Sequence, residues 1–297
     1  MIDEPSRTKA RQNGLRSLFL LVILGLSVAG AWSLSRHRGA GTGEAGEILA
    51  EIRTRGLSYF WTAQEGTKQW FLIRKEGKVI GWKFTYRKPV PSGGFEGGMV
   101  VLHERHPTPP TYKASSQWTL SSDIRQGRYV AYEISLRLAG AGFLRKQEVA
   151  TQTELKDGQL SVRQKFDSIM MNSSATAPEN YLPEGTHFLA LQQVARRKIR
   201  AIFTGIIDSE RPEQTQPRFT RLIVEYVGPA EENPQLSVLR IEQKLTGRSF
   251  PSRYCYLDAD GRLVKQTIGA IEISAVTRKE ILAIYPHAEV QSKGLPE

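Results

Sequence analysis

The chain has 297 residues and a net charge of +11, with 40% hydrophobic and 24% charged residues. This is the composition of an ordinary globular protein, with room for one large or two small domains. The positive charge is first explained by a generally basic surface that aids solubility, and an anionic membrane surface or an acidic partner is the alternative. Cys255 is the only cysteine, so an intrachain disulfide is excluded and the hydrophobic core must stabilise the fold alone.

The uncharged segment Leu18–Leu34 follows a basic leader, residues 1–17, and is the most apolar part of the chain. Its length is at the lower limit for a helix that spans a bilayer, which needs roughly 17–25 residues. Lysine and arginine are more frequent before the segment than after it, which places the N-terminus in the cytoplasm. We therefore predict a single-pass anchor, residues 18–34, that contacts the lipid bilayer of the inner (plasma) membrane.

A cleaved signal peptide is the alternative to a retained anchor. Ala29-Gly30-Ala31 has the small-x-small pattern of a cleavage site, and cleavage after Ala31 would release a secreted or periplasmic protein. Trp32, placed as an interfacial aromatic residue, favours retention. Both alternatives place the body of the chain outside the cytoplasm, where a nucleic-acid partner is not expected.

Residues 35–56 are predicted to form a tether and a short helix. The segment His37–Gly46 is rich in glycine and lacks periodicity, whereas Gly46–Arg55 has apolar residues at helical spacing. From Leu57 the apolar period changes to two, most clearly in Lys78–Tyr86 and Arg128–Leu138. This alternation is typical of strands with one apolar and one polar face.

Tight turns separate many of the predicted strands. Glu76-Gly77, Gln126-Gly127, Asp157-Gly158 and Asp260-Gly261 each lie between two strand-like segments, which favours an antiparallel meander over βαβ units. Two helices are predicted to interrupt it: one at 186–197, which ends in basic residues, and a short one at 278–285 that begins with a capping box, Thr277 to Glu280. We predict a mainly β (α+β) extracytoplasmic domain over residues 57–288. Two similar halves, about 57–175 and 176–288, are an alternative description of it.

The apolar faces of the strands provide the candidate ligand-binding residues. The predicted set consists of aromatic and aliphatic residues at alternating positions of two strands: Trp82, Phe84, Tyr86, Tyr132 and Leu136. Together with the predicted membrane location, this apolar face indicates a surface for a lipid or another hydrophobic molecule.

Motifs of catalysis and metal binding are weak, so no catalytic residue, metal ligand or cofactor is predicted. The spacing of His103 and His106 does not fit a helical zinc-protease motif, and both are expected at a solvated strand end. The segment Asp258–Gly261 lacks the later ligands of a calcium loop and is interpreted as a hairpin turn. The glycine-rich segment Ser92–Gly98 is predicted to be a loop with Phe95 at its exposed tip. Cys255 is interpreted as a packed thiol.

Two segments resemble a known group of proteins. Pro178–Asp208, set between meanders, and Tyr254–Ile273, with its Asp-Gly turn between strands, are similar to segments of uncharacterised bacterial envelope proteins. The architecture of those proteins is related to the periplasmic lipoprotein carriers. The resemblance implies a large, curved antiparallel sheet, a half-open barrel with a helix across its concave side. No ligand-binding residue transfers by position.

These observations favour a non-enzymatic, membrane-tethered binding module for a lipid, a lipidated protein or another hydrophobic ligand. One alternative is a structural or assembly protein of the cell envelope with an envelope protein as its partner. A second alternative is a hydrolase that acts at the membrane surface, for which the sequence identifies no site.

Overall fold

A computed structural model describes residues 42–61, 67–103, 112–138, 144–207, 217–245 and 248–292. The predicted leader and anchor, with Leu18–Leu34, lie outside the described residues, as does His106. Within the described ranges, no helix is both long enough and apolar enough to cross a membrane.

The described residues form one antiparallel sheet and several helices. The helices are α1 (Thr42–Arg55), α2 (Leu57–Phe60), α3 (His187–Arg197), α4 (Arg278–Ile284) and α5 (Ala288–Ser292). The strands before α3 are β1 (Thr67–Lys75), β2 (Lys78–Pro89), β3 (Phe95–His103), β4 (Tyr112–Leu120), β5 (Gln126–Leu138), β6 (Leu144–Lys156), β7 (Gln159–Phe166) and β8 (Ile169–Thr176). The strands after α3 are β9 (Arg200–Ile207), β10 (Arg218–Pro229), β11 (Ser237–Leu245), β12 (Arg248–Ser249), β13 (Arg253–Leu257), β14 (Leu263–Ile268) and β15 (Ile271–Val276).

Two meanders join to make this sheet. The strand order is β8-β7-β6-β5-β4-β3-β2-β1-β15-β14-β13-β11-β10-β9, and β12 pairs with β11. The first meander runs from β1 outward to β8, and the second runs from β9 inward to β15. They meet where β1 pairs with β15, with Ile73 opposite Ile273. The predicted antiparallel, mainly β architecture is confirmed.

The short hairpins follow from the turn residues. Glu76 and Gly77 both have positive φ, and so do Asp157 and Gly158, which is the conformation that a two-residue hairpin turn requires. The predicted turn at Gln126-Gly127 is wrong, because both residues already belong to β5. The connection is made instead by residues 121–125, where the Ser121 amide donates to the Gln126 carbonyl.

One face of the sheet, the inner face, packs against helices α1, α2 and α3. Phe71 and Ile73 of β1 are fully buried there, together with Ile48 and Leu49 of α1 and Leu189 of α3. Helix α1 begins at Thr42, inside the stretch predicted as a tether. Its Glu51 pairs with Arg197 at the end of α3, so a partly exposed ion pair links the two helices. The predicted helix at 186–197 is confirmed as α3.

The opposite, outer face carries a second, smaller core. Trp70, Trp82 and Phe84 pack there with their ring centroids 4.5–5.7 Å apart. Ile281 of α4 and Ala288 of α5 are fully buried on these rings. The capping box predicted for α4 is present: the Glu280 amide donates to Thr277 Oγ1, and the Thr277 amide donates to the Glu280 carboxylate. The centre of the sheet is therefore covered on both faces.

The two ends of the sheet approach each other. The Ile206 side chain of β9 packs with Leu160 and Val162 of β7 and with Tyr181. Tyr181 also forms a parallel bridge to Thr204 along the edge of β9. These contacts require a curved sheet, because β7 and β9 lie far apart in the strand order. The helices of the inner face occupy the concave side of this curve.

Two residues expected at the surface are buried. Phe95, predicted at an exposed loop tip, begins β3 and packs edge-on against Trp61 with ring centroids 4.8 Å apart. His103, predicted at a solvated strand end, is only 2% exposed and lies beside Tyr112 on the inner face. Both follow from the alternation of β3, whose odd-numbered residues point into the core.

We expect Ile281→Ala to lower the free energy of unfolding by about 2–5 kcal/mol, because it opens a cavity above the outer aromatic core. Ile284→Ala on the same helix is the matched control, since Ile284 is 47% exposed and its loss should change stability by less than about 0.5 kcal/mol. Urea unfolding followed by tryptophan fluorescence measures both. Equal effects of the two substitutions would contradict the packing of α4 on this core.

Candidate functional site

The concave side of the sheet contains two neighbouring cavities around the start of α3. Both cavities lie on the inner face of the sheet. The larger, which we call the outer cavity, has a volume of about 340 Å³, and the smaller, which we call the inner chamber, has a volume of about 60 Å³. Glu184, His187, Phe188 and Leu263 line both. The N-terminal turn of α3 and the residues just before it therefore stand between the two spaces.

The outer cavity has aromatic walls. Phe60 and Trp61 after α1, Trp118 of β4 and Tyr129 of β5 line it. The Trp61 and Trp118 ring centroids lie 6.1 Å apart. Such walls suit the apolar part of a small molecule, and the volume is at the lower end of the roughly 300–1,000 Å³ of small-molecule sites.

Two glycines leave space for the indole ring of Trp118. A Cβ atom at Gly97 would lie 2.3 Å from the indole ring, and one at Gly185 would lie 2.4 Å from it. Gly185 also has φ of +89°, which favours glycine. The segment before α3 can therefore approach the indole of β4 closely only because neither position carries a side chain.

Arginines give the outer cavity a positive rim. The guanidinium of Arg87 lies over the Trp61 ring, 4.3 Å from its centroid, and donates a hydrogen bond of 3.5 Å to Thr67 Oγ1. Burial, assisted by the nearby Arg262, lowers the pKa of Arg87 to about 10. Arg87 remains a cation at neutral pH, so the cavity presents positive charge next to aromatic surface.

The inner chamber contains buried cations. Lys83 of β2 is 3% exposed and Arg253 of β13 is 8% exposed. Burial lowers the pKa of Lys83 to about 8 and also lowers the pKa of Arg253. Arg253 donates a hydrogen bond of 3.5 Å to the Gln243 side chain of β11. Apolar residues such as Leu222, on the inner face of β10, form much of the remaining wall.

Cys255 and His187 line the same chamber, but their pKa values do not fit a cysteine nucleophile. Burial raises the pKa of the Cys255 thiol to about 11 and lowers the pKa of His187 to about 4. An activated pair needs the opposite shifts, a thiolate beside an imidazolium. His187 Nδ1 lies 3.6 Å from a Glu184 carboxylate oxygen. Cys255 is a buried, protonated thiol, as the sequence indicated.

In the parts of the chain that the structure describes, no group of three His, Cys, Asp or Glu residues is arranged to hold a metal ion. The segment Asp258–Gly261 forms the turn between β13 and β14, where the Asp258 amide donates to the Arg262 carbonyl. Its interpretation as a hairpin turn agrees with this hydrogen bond.

The predicted ligand-binding residues lie on the outer face. Trp82 and Phe84 belong to the aromatic core under α4 and α5, and Tyr86 packs at its margin and also contributes to the wall of the outer cavity. The register places Tyr132 on that same outer face, since Phe84 lies opposite Val100, Val100 opposite Ser115 and Ser115 opposite Tyr132. Leu136 lies further along β5, opposite Lys146.

Sequence reasoning did not identify Lys83, Arg253 or the aromatic wall of the outer cavity. Lys83 occupies the polar face of β2, which the alternation assigns to solvent. The alternation of polar and apolar residues is the same in a strand whose polar face is buried and in one whose polar face meets water. The available signal was weak: the neighbours of Lys83 on the same face of the strand, Gly81 and Thr85, are small and uncharged.

Comparison with known proteins gives little further information. No family model matches the chain, and no curated protein matches its sequence. Among solved structures, the chain is similar to the crystal structure of a beta-barrel-like protein of domain of unknown function DUF1849 from Brucella abortus. The identity is 12% and the TM-score 0.46, over 71% of this chain and 95% of that one. A likeness at this level carries no conclusion about function.

The buried histidine makes stability sensitive to acid. The pKa of His187 is about 4 in the folded state and 6.5 in its reference state. Between these two pH values the unfolded chain therefore binds more protons than the folded chain. The free energy of unfolding consequently falls as the pH drops through this window. We expect His187 to contribute roughly 1–3 kcal/mol to the loss between pH 7.5 and pH 4.5.

Urea unfolding at these two pH values measures the effect. His187→Gln should reduce the difference in unfolding free energy between them, whereas His287→Gln, at an exposed position, should leave it unchanged. Glu184 and Arg253 face His187 and are retained in both variants, so the comparison isolates the imidazole. An unchanged difference in His187→Gln would contradict the burial of a neutral histidine.

Proposed function

We propose that this chain is a non-enzymatic binding module that holds a small amphipathic molecule in the outer cavity, between α3 and the inner face of the sheet. The observation that carries the proposal is the combination of aromatic walls with a cationic rim. Trp61 and Trp118 offer apolar surface, and Arg87 lies directly on the Trp61 ring. Ligand sites commonly combine apolar walls with a few placed polar groups.

The outer aromatic surface is the weaker location for this ligand. Trp82 is fully buried, and Trp70 and Phe84 are each 7% exposed beneath α4 and α5. A ligand would have to displace both helices to reach these rings. The concave side offers a formed cavity instead, so the hydrophobic ligand suggested by the sequence is assigned to the inner face.

Binding of a neutral probe tests the proposal. N-phenyl-1-naphthylamine becomes fluorescent in apolar surroundings and accepts energy from tryptophan, so binding beside Trp61 and Trp118 should produce both signals. Thr85→Phe should weaken binding by roughly fivefold or more, because overpacking a filled site costs about 1–3 kcal/mol. Thr85 is half-buried on the inner face of β2 and lines the outer cavity.

Thr119→Phe is the matched control for this experiment. Thr119 is exposed on the outer face of β4, so the same substitution there should not alter binding. Thermal unfolding of both variants shows that each retains its fold. Absence of probe binding by the unmodified protein, or equal weakening by the two substitutions, would contradict a ligand site in the outer cavity.

We further propose that the segment Leu18–Leu34 tethers this module to the outer side of the inner membrane. The support is the length and apolarity of the segment and the basic leader before it. This location would place the binding module beside a source of amphipathic molecules.

Reporter fusions at residue 297 test the orientation. Alkaline phosphatase, which requires an oxidising compartment, should be active there, and a fluorescent protein that matures only in the cytosol should remain dark. A chain without residues 1–34 should give the reverse pattern. A fluorescent full-length fusion would contradict the proposed orientation and leave the binding proposal to its own test.

A further inference from the structure

One of the residues that line the inner chamber is a buried lysine, Lys83. Lys83 is 3% exposed, and its ammonium nitrogen lies 5.4 Å from the Phe71 ring centroid and 5.9 Å from that of Phe188. Among the described residues, no carboxylate forms an ion pair with Lys83. Buried charges in proteins are ordinarily paired, because removal of an ion from water is costly.

The other charged residues of the chamber leave a positive excess. Among the described lining residues, Lys83 and Arg253 are cations and Glu184 is the carboxylate, while the low pKa of His187 keeps its imidazole neutral. The formal balance is therefore one positive charge. A single carboxylate group would neutralise it, whereas a doubly charged phosphate would reverse it.

The size and position of the chamber match one end of a larger molecule. About 60 Å³ holds only a few atoms, since a water molecule alone needs about 10–15 Å³ of such space. The outer cavity, at about 340 Å³, lies next to it and shares Phe188 and His187 in its wall. A ligand whose apolar body fills the outer cavity can extend its end between these side chains toward Lys83.

We infer that the inner chamber receives the carboxylate of an amphipathic ligand, and that the Lys83 ammonium binds it by a charge-assisted hydrogen bond. This inference rests on the proposed function, because the apolar body of the ligand occupies the outer cavity. It adds the substrate class: a monocarboxylate with an apolar chain or ring system, such as a medium-chain fatty acid. Hydrogen bonds of this kind are stronger than neutral ones.

The experiment compares two ligands that differ only in the end group. Decanoic acid and decan-1-ol are used to displace N-phenyl-1-naphthylamine from the full chain in lipid nanodiscs at pH 7, and empty nanodiscs give the background that is subtracted. We expect the acid to bind about tenfold or more tightly than the alcohol, as a charged hydrogen bond predicts. In Lys83→Met the preference should fall below about threefold.

Two further variants locate the effect. Lys78→Met removes an exposed lysine from the same strand and should retain the full preference. Arg87→Met removes the cation of the outer rim, which should weaken the binding of both ligands by a similar factor and so retain the preference for the acid. Loss of the preference in Arg87→Met but not in Lys83→Met would overturn the assignment to Lys83.

The remaining outcomes separate this inference from the proposed function. If the probe binds but acid and alcohol displace it equally, or neither displaces it, the carboxylate assignment is overturned and the ligand cavity stands. If the probe itself does not bind, the proposed function fails.

A second measurement is used if the Lys83→Met variant does not fold. It is the NMR titration of decanoic acid that is labelled with ¹³C at the carboxyl group and bound to the unmodified chain. The bound carboxylate should remain ionised at a lower pH than the free acid, and identical titrations would overturn the inference.

Discussion

The pairing of β1 with β15 is the constraint on which both the interior and the candidate site depend. It joins the first strand of one meander to the last strand of the other, so that residues distant in sequence belong to one concave face. Lys83 on β2 and Arg253 on β13 are four strand steps apart along this path. A flat sheet would separate them by roughly 19 Å at about 4.8 Å per step. Because both cations line the same chamber, the sheet must curve along this path.

Helix α3 completes that arrangement by filling the concave side. Its apolar face, with Leu189 and Val194 fully buried, packs on the sheet, and its N-terminal turn separates the two cavities. The residue that follows the helix, Lys198, has a left-handed conformation, and Arg197 forms an ion pair with Glu51 of α1. The helix is therefore held in place at its C-terminal end, while the two cavities lie at its N-terminal end.

Buried ionisable groups make the interior costly to fold. Lys83, His103 and His187 all have pKa values displaced toward their neutral forms by burial, so each loses hydration in the folded state. Apolar residues of similar size would pack there without this loss. The position of Lys83 and His187 in the wall of a cavity is the pattern expected of a site that recognises a polar end group. A chain selected only for stability would not need them.

The amino-acid sequence by itself determined the local structure: antiparallel strands from the period of two, hairpins at Glu76-Gly77 and Asp157-Gly158, helix α3 and the capping box of α4. These features depend on neighbouring residues, which are visible in the sequence. The identity of the inner face was decided only by the tertiary structure, because helices cover both faces of the central strands and alternation alone cannot distinguish the core under α4 from the concave side. For the same reason the aromatic residues of β2 were predicted to bind the ligand, while Lys83 between them was part of the polar face of the strand. Its burial depends on β13, on α3 and on the curvature of the sheet, all of which are contacts between residues far apart in the chain.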